Sequence, residues 1–298
     1  MNETHASSTQ AVAAASTPDT PPDIRIRPRS GWQPVDWAEL WRFRHLIWLF
    51  GLRDVTVRYK QTLLGGLWAI IQPLTQTLVF TLFFGKLMGM EDRVGQYNGQ
   101  DVPYPVFVLC GQIFWNFFNS AATASSNSMM LNANILRKIY IPRLSIPMAS
   151  TGAPVVDTLI SIVLLLGVMV YFGQAFTLMA LLLPVVLLLT WFVSISLGIL
   201  MSALIVQYRD TRFVLPFVLQ IWFFITPVIY PPSILPESYR SLMYLNPMAG
   251  LIDFSRAIML NGPVNVTNLL ISVAVTCIVF IFGVFYFARV ERRFADIT

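Results

Sequence analysis

The chain has 298 residues, of which 56% are hydrophobic and only 12% are charged, and its formal net charge is +5. Soluble domains carry about 25% charged residues, so this composition excludes a water-soluble globule and predicts an integral membrane protein. The basic excess lies beside apolar segments, which indicates membrane topology and lipid contact and argues against nucleic acid as a partner.

The residues needed for a catalytic or metal site are scarce. Cys110 and Cys277 lie in apolar runs outside any CxxC pair, and the two histidines are His5 and His45. This excludes a zinc site or a disulfide framework. The chain has neither a phosphate-binding G-x-x-x-x-G-K-[ST] loop nor a G-x-S-x-G or H-E-x-x-H motif. The sequence therefore predicts a non-enzymatic protein that binds no cofactor of its own.

The N-terminal part precedes the first apolar segment. Residues 1–31 are rich in Ala, Ser, Thr and Pro and are predicted to form a disordered tail, without the features of a signal peptide. Residues 32–64 carry apolar stripes at helical spacing and predict two amphipathic interface helices on the cytoplasmic membrane surface, separated at Gly51. In the second helix, Asp54 and Arg58 have the spacing of a favourable i,i+4 ion pair.

The rest of the chain predicts an all-α integral membrane protein with six transmembrane helices. This transmembrane domain covers 65–289 and is followed by a cytoplasmic tail at 290–298. An apolar segment of about 20 residues can cross a bilayer as a helix. The six segments are 68–86, 104–120 with a small-residue continuation to 128, 146–172, 176–206, 214–230 and 269–289.

The basic residues determine the predicted orientation. Of the 20 lysines and arginines, all but Lys86, Arg93, Arg240 and Arg256 fall on one side of the six predicted spans. Short loops rich in Lys and Arg stay cytoplasmic, so both the N- and C-termini are predicted to be cytoplasmic.

Residues 231–262 connect the fifth and sixth spans and are too short and too interrupted for a further crossing. The segment must begin and end outside, which predicts a re-entrant helix pair broken at Asn246-Pro247. Asp253 and Arg256, three residues apart, predict an ion pair within its second helix. Asp157, the lone acid well inside a span, is predicted to pair with a polar group of a neighbouring span, or to lie near the cytoplasmic rim.

Several short motifs resemble those of one transporter family. The run RDVTVRYKQTLLGGLWAIIQPL (Arg53–Leu74) resembles the entry signature of the membrane subunits of bacterial ABC-2 exporters, in the branch that exports polysaccharides and teichoic acids. Further matches follow in the same order: ILRKIYIPR (135–143), VVD (155–157), QYRD (207–210), TPVIYP (226–231) and LNPMAGLI (245–252). The resemblance covers roughly residues 32–298.

The resemblance implies a channel-forming permease subunit in the bacterial cytoplasmic (inner) membrane. It implies a homodimer with two copies of a separate ATPase subunit, which would hold ATP and Mg. The substrate would be a lipid-linked polysaccharide such as O-antigen, capsule or a teichoic acid-like polymer. Alternatives are an ABC-2 permease for a drug or another lipid, an intramembrane glycosyl transferase, and a purely structural scaffold.

Three sets of candidate functional residues follow. Arg53, Arg58 and Lys60 are predicted to bind the pyrophosphate of the lipid carrier, although positive-inside topology alone also explains such residues. Residues predicted to couple to the ATPase combine apolar anchors and basic side chains: Leu136, Arg137, Lys138, Tyr140 and Arg143. Those predicted to line the channel combine aromatic faces and small polar groups: Phe114, Trp115, Asn116, Asn119, Ser120, Thr123, Trp222 and Phe223.

Overall fold

The computed structural model of the protein describes residues 37–60, 64–97, 99–136, 138–175 and 177–291. The predicted tail at 1–31 and all but the first two residues of the predicted tail at 290–298 lie outside this range. Within it, the fold is helical apart from a two-residue ladder, in which Gln96–Tyr97 (β1) pairs antiparallel with Gln100–Asp101 (β2). The helices are α1 Trp37–Arg42, α2 Arg44–Lys60, α3 Trp68–Phe80, α4 Glu91–Val94, α5 Tyr104–Leu131, α6 Ala133–Leu136, α7 Ser145–Ala149, α8 Gly152–Tyr171, α9 Leu183–Gln207, α10 Thr211–Ile225, α11 Glu237–Met243, α12 Pro247–Met259 and α13 Val266–Glu291.

Four helical stretches of the described chain are long and apolar enough to cross a membrane. They are Gly65–Leu87, Ser145–Tyr171, Leu178–Gln207 and Val266–Glu291, and they correspond to the first, third, fourth and sixth predicted spans. The remaining two predicted spans correspond to α5 and α10. At 1.5 Å per residue, α5 is about 42 Å long and more polar, whereas α10 is only about 22 Å long.

The bundle is built around α5. This helix packs against α3, α7, α8, α9 and α12, and most of its side chains are buried. Two of its hydroxyl groups are bonded within the helix: Ser126 Oγ donates to the Ala122 carbonyl and Ser128 Oγ to the Ser125 carbonyl, both at 2.6 Å. A helix with this many polar side chains is stable in a membrane only when other helices cover it.

Helices α5 and α9 approach each other closely at Gly198. A Cβ atom added to Gly198 would lie 2.3 Å from Oγ and 2.4 Å from Cβ of Ser125, so no side chain fits at this position. The absence of a Cβ lets the two backbones pack at short distance, as small residues do between membrane helices.

The structure corrects the predicted end of the fifth span. Helix α10 ends at Ile225, before Tyr230, because Thr226 precedes a proline and takes an extended backbone conformation. The carbonyls beyond the helix end are bonded by side chains. Arg256 donates through Nη1 to Pro227 (2.6 Å) and through Nη2 to Val228, and the Tyr104 hydroxyl donates to Ile229 (2.6 Å).

The predicted ion pair between Asp253 and Arg256 is wrong. Arg256 is fully buried, donates through Nε to the Phe107 carbonyl (3.2 Å), and lies 3.6 Å from the centroid of the Phe107 ring. Asp253 instead accepts a hydrogen bond from the Tyr244 hydroxyl at 3.2 Å. The reason lies in the non-helical end of α10, whose carbonyls provide acceptors that a forked guanidinium can reach.

The helical break predicted at Asn246-Pro247 is confirmed. Helix α11 ends at Met243 and α12 begins at Pro247, where the Asn246 side chain accepts from the N–H of Met248 at 3.0 Å. The same side chain donates through Nδ2 to Oγ1 of Thr226 at 2.8 Å. Asn246 therefore caps α12 and ties it to the end of α10.

Two helices precede the bundle, as predicted, but the break between them was placed wrongly. It lies at Phe43, and Gly51 is inside α2. Gly51 is needed there for a different reason: a Cβ on Gly152 would lie 3.0 Å from the Cα of Gly51, so the two glycines let α2 touch the start of α8.

We expect Gly198→Ala to lower the free energy of unfolding by about 1–3 kcal/mol, the usual cost of overpacking. Thermal unfolding in detergent measures it. Gly167→Ala, in α8, is the matched control, because a Cβ there meets no atom within 4 Å. Replacing Ser125 with Gly in the Gly198→Ala background should recover stability, since the Ser125 side chain is the obstacle. A Gly198→Ala protein as stable as the control would contradict the close packing.

Candidate functional site

A cavity of about 360 Å³ lies between α2, α3, α5 and α8. This volume is at the lower end of the range for small-molecule sites, about 300–1,000 Å³. The lining is charged in one part of the cavity and neutral but polar in another. Arg58, Tyr59 and Asp157 form a charged end, and the walls carry amide and hydroxyl groups from α3, α5 and α8.

The charged end joins the surface helix α2 to α8. Arg58 Nη2 lies 2.7 Å from Asp157 Oδ2, and the Tyr59 hydroxyl donates to Asp157 Oδ1. Burial raises the pKa of the Tyr59 hydroxyl above its usual range, and the hydrogen bond to Asp157 raises it further, by a smaller amount. Tyr59 is therefore a donor to the carboxylate at any physiological pH.

This ion pair replaces the one predicted within α2. Asp54, the predicted partner of Arg58, is bonded by Arg53 instead, with Nη2 at 2.8 Å from Oδ1. Asp157 does not take the partner predicted for it in a neighbouring span; it pairs with Arg58 of the surface helix α2. Because α2 contacts α8 through Gly51 and Gly152 as well, its end is held close enough for Arg58 to reach the acid.

An amide network forms the wall between α3 and α5. Gln76 Oε1 accepts from Nε2 of Gln112 and, at 3.1 Å, from Nδ2 of Asn116. The Thr77 hydroxyl donates to Gln112 Oε1 at 3.1 Å. These bonds fix the orientation of each amide and join the two helices.

Hydroxyl groups lie on the remaining wall. Ser161 Oγ donates to the backbone carbonyls of Ala69 and Asp157, at 3.0 and 2.9 Å, and Thr158 Oγ1 donates to that of Pro154 at 2.7 Å. A hydroxyl that donates to the backbone retains acceptor capacity for a bound ligand. The cavity can therefore accept hydrogen bonds from a neutral, hydroxyl-bearing group and donate to an anion at Arg58.

Only one of the three residues predicted to bind pyrophosphate lines the cavity. Arg58 does so, with 49% of its side chain exposed. Arg53 is held by Asp54 and by Oδ1 of Asn132 (2.9 Å), and lies over the ring of Phe50. Lys60 ends α2 as an exposed side chain outside the cavity lining.

The predicted channel residues divide into two groups. Asn116, Asn119 and Ser120 line the cavity. Phe114 and Trp115 are instead buried in the core, so in this conformation they pack helices and cannot line a passage. This corrects their assignment, and the reason is that α5 is covered on several sides.

The aromatic residues of α10 continue this packing. Trp222 contacts Phe118 edge-on, with ring centroids 5.3 Å apart, and Phe223 contacts Trp115 at 5.6 Å. Both are partly buried against the core. Thr123 is half-buried and lies outside the cavity lining.

The residues predicted to couple to the ATPase lie in and after α6. Tyr140 is exposed and donates to Glu39 of α1 at 3.0 Å, and Lys138 is also exposed. Leu136 is half-buried against the core, and Arg143 contacts Glu291. Arg137 lies outside the described residues. Ile139, adjacent to Tyr140, is also exposed.

Sequence reasoning also missed most of the cavity's polar wall. Gln72 and Gln76, one helical turn apart in the first span, line the cavity, as does Asn116 in the second span. Gln112, one turn before Asn116, is buried outside the lining and bonds Gln76. Glutamines at i and i+4 in an apolar helix signal a shared polar face, and this signal could have identified the wall.

Within the described residues, no group of three or more His, Cys, Asp or Glu side chains is arranged to hold a metal ion.

Residues 45–260 match the family model of the ABC-2 type transporter. The chain belongs to the ABC-2 type transporter family. The O-antigen export system permease protein RfbA of Myxococcus xanthus is 30% identical over 223 residues, 74% of this chain and 82% of that protein. RfbA of Klebsiella pneumoniae is 27% identical over 247 residues (82% and 92%), and the polysialic acid transport protein KpsM of Escherichia coli is 27% identical over 218 residues (71% and 80%).

Family membership confirms the resemblance seen in the sequence motifs. Together with the four apolar helices, it identifies a multi-pass membrane protein. Two of these relatives are named for O-antigen export and one for polysialic acid transport, and each aligns over most of its own length.

We expect cysteines at Asn119 and Ser120 to react with a water-soluble maleimide much faster than a cysteine at Phe114 on the same helix. The first two positions line the cavity, whereas Phe114 has no exposed surface. Labelling rates in membranes measure the difference, after Cys110 and Cys277 have been replaced with Ala. Equal rates at all three positions would contradict the placement of the cavity.

Proposed function

We propose that this chain is the channel-forming permease subunit of an ATP-driven ABC exporter that moves a lipid-linked polysaccharide across the bacterial cytoplasmic membrane. The observation that carries this proposal is the cavity, which combines a guanidinium at one end with amide and hydroxyl walls. Family membership supports an ABC-2 permease. The names of the relatives favour a polysaccharide over the alternative substrates, a drug or another lipid.

The two kinds of lining match two parts of such a substrate. A glycan chain presents many hydroxyl groups and little fixed charge, which suits Asn116, Asn119 and Ser120. A lipid-linked glycan also carries a phosphate or pyrophosphate at its lipid end, which suits the forked donors of Arg58. We therefore assign carrier recognition to Arg58 and contact with the sugar to the polar wall.

We propose six crossings with both termini in the cytoplasm. Each of the four apolar helical stretches makes one crossing. Helix α5 makes a fifth crossing, because neighbouring helices cover its polar side chains. Helix α10 is shorter than the hydrocarbon core of about 30 Å. Its non-helical continuation can lie at membrane depth, because Arg256 and Tyr104 bond the carbonyls there.

The helices α11 and α12 then form the re-entrant pair at the outer end. Nearly every residue of α12 is buried in the protein, and Asn246 ties its start to Thr226 at the end of α10. Irregular backbone within a membrane is tolerated when it is buried in this way. We assign closure of the outer end of the channel to this pair.

The working exporter in this proposal is a homodimer with two copies of an ABC ATPase subunit, which hold ATP and Mg. The docking surface comprises the exposed residues after α6 and the surface helices that they contact. Ile139 and Tyr140 have 56% and 78% of their surface exposed, and Tyr140 is bonded to Glu39 of α1. Exposed aliphatic and aromatic side chains beside a lysine are typical of partner contacts.

Arg58→Glu is expected to reduce polysaccharide export at least tenfold, because a carboxylate at the charged end repels a pyrophosphate. The complex should still assemble and hydrolyse ATP. Export is measured as polymer reaching the cell surface. Arg93→Glu, an exposed residue of α4 outside the cavity, is the matched control and should export normally. Normal export by Arg58→Glu would contradict the role of Arg58.

Ile139→Asp combined with Tyr140→Asp should abolish co-purification of the ATPase, because two charges would enter an apolar contact. The permease should still insert in the membrane. Tyr171→Asp, at the exposed C-terminal end of α8, is the control for a charge on an exposed aromatic position. If the double variant retains the ATPase as well as the control does, the docking surface lies elsewhere.

A further inference from the structure

Asp157 occupies a position that packing alone does not explain. It lies in an otherwise apolar helix, its side chain is 19% exposed, and it borders the cavity. Both of its carboxylate oxygens have partners: Oδ1 accepts from the Tyr59 hydroxyl and Oδ2 pairs with Arg58 at 2.7 Å.

The ion pair contributes little to holding the helices together. Arg58 is half exposed, and ion pairs of such groups are weak because water screens them. An apolar residue at 157 with a neutral residue at 58 would join α2 and α8 without the cost of desolvating a carboxylate. The contact between α2 and α8 at Gly51 and Gly152 is steric and independent of this pair.

The ion pair between Arg58 and Asp157 is located in the lining of the cavity. Among the described residues that line the cavity, Arg58 is the cation. Its guanidinium is paired with Asp157 at the place where an incoming anion would bind. A phosphate offers more acceptor oxygens and more negative charge than a carboxylate, so it can compete for the same donors. Tyr59 can keep its bond to Asp157 while Arg58 changes partner, because the two residues hold different oxygens.

We propose that Asp157 is an internal competitor that occupies Arg58 while the cavity is empty and is displaced by the phosphate or pyrophosphate at the lipid end of the glycan. This inference rests on the proposed function and deepens it, because it names the chemistry of the ligand at Arg58. Asp157 sets how strongly the anion must bind before Arg58 is released. It is a specificity-determining residue, since a neutral lipid or a free glycan offers nothing that replaces its carboxylate.

The test measures binding of farnesyl pyrophosphate to the purified permease–ATPase complex in nanodiscs. Asp157→Asn removes the competing charge with little change in shape, and its carbonyl can still accept from Tyr59. We expect this variant to bind the probe roughly tenfold more tightly than the unaltered complex. Inorganic pyrophosphate and farnesol, as separate probes, distinguish a free anion and an uncharged prenyl chain from the lipid-linked anion.

A double-mutant cycle with Arg58→Gln separates this mechanism from a general loss of negative charge. In the Arg58→Gln background, Asp157→Asn should change the affinity less than twofold, because no guanidinium is left to be released. Asp253→Asn is the matched control: it neutralises another acid that is bonded to a tyrosine, but it lies outside the cavity lining. Its affinity for the probe should be that of the unaltered complex.

Two results would overturn the inference. One is an unchanged affinity in Asp157→Asn; the other is an equal gain with and without Arg58. If Asp157→Asn does not assemble, Asp157→Ser provides the same measurement with a smaller neutral side chain. A failure of the proposed function is distinguishable, because the unaltered complex would then export no polysaccharide whatever the binding experiment gives.

Discussion

The polar side chains of α5 have to be shielded from hydrocarbon, because a polar group without a partner costs several kcal/mol in lipid. This requirement puts α5 at the centre of the bundle, where it packs against α3, α8, α9 and α12. Helix α5 contacts α9 where its Ser125 packs against Gly198 of α9. On the side of α3, amide hydrogen bonds join the two helices, and the cavity lies beside them. Helix α5 thus takes part both in this close contact and in the candidate site.

The same requirement explains the buried arginine of α12. Where α10 stops being helical, its carbonyls need donors, and Arg256 supplies two of them while a third bond goes to Phe107 of α5. A lysine also has three donors, but they all leave one nitrogen, whereas the planar guanidinium spreads its donors over three nitrogens and so reaches carbonyls of two separate segments. The end of α10 and the two outer helices are therefore fixed to α5, and the cavity lies between other elements, α2, α3, α5 and α8.

A polysaccharide exporter needs two kinds of recognition, and the cavity places them side by side. The walls offer bonds that are weak and similar to one another, which suits a chain that must move past them. In the proposed function the charged end recognises the anion, and its guanidinium is already paired with the protein's own carboxylate. A site that is paired when empty avoids an exposed guanidinium that would bind any phosphate lipid of the membrane.

The sequence alone determined the membrane class, the family, four of the spans and the break at Asn246-Pro247, because these depend on composition, local pattern and motif order. It could not determine which partner each charge takes. Arg58 pairs with Asp157 and not with Asp54, and Arg256 bonds backbone carbonyls and not Asp253. These pairings depend on distances between segments far apart in the chain, and only the packed helices set those distances.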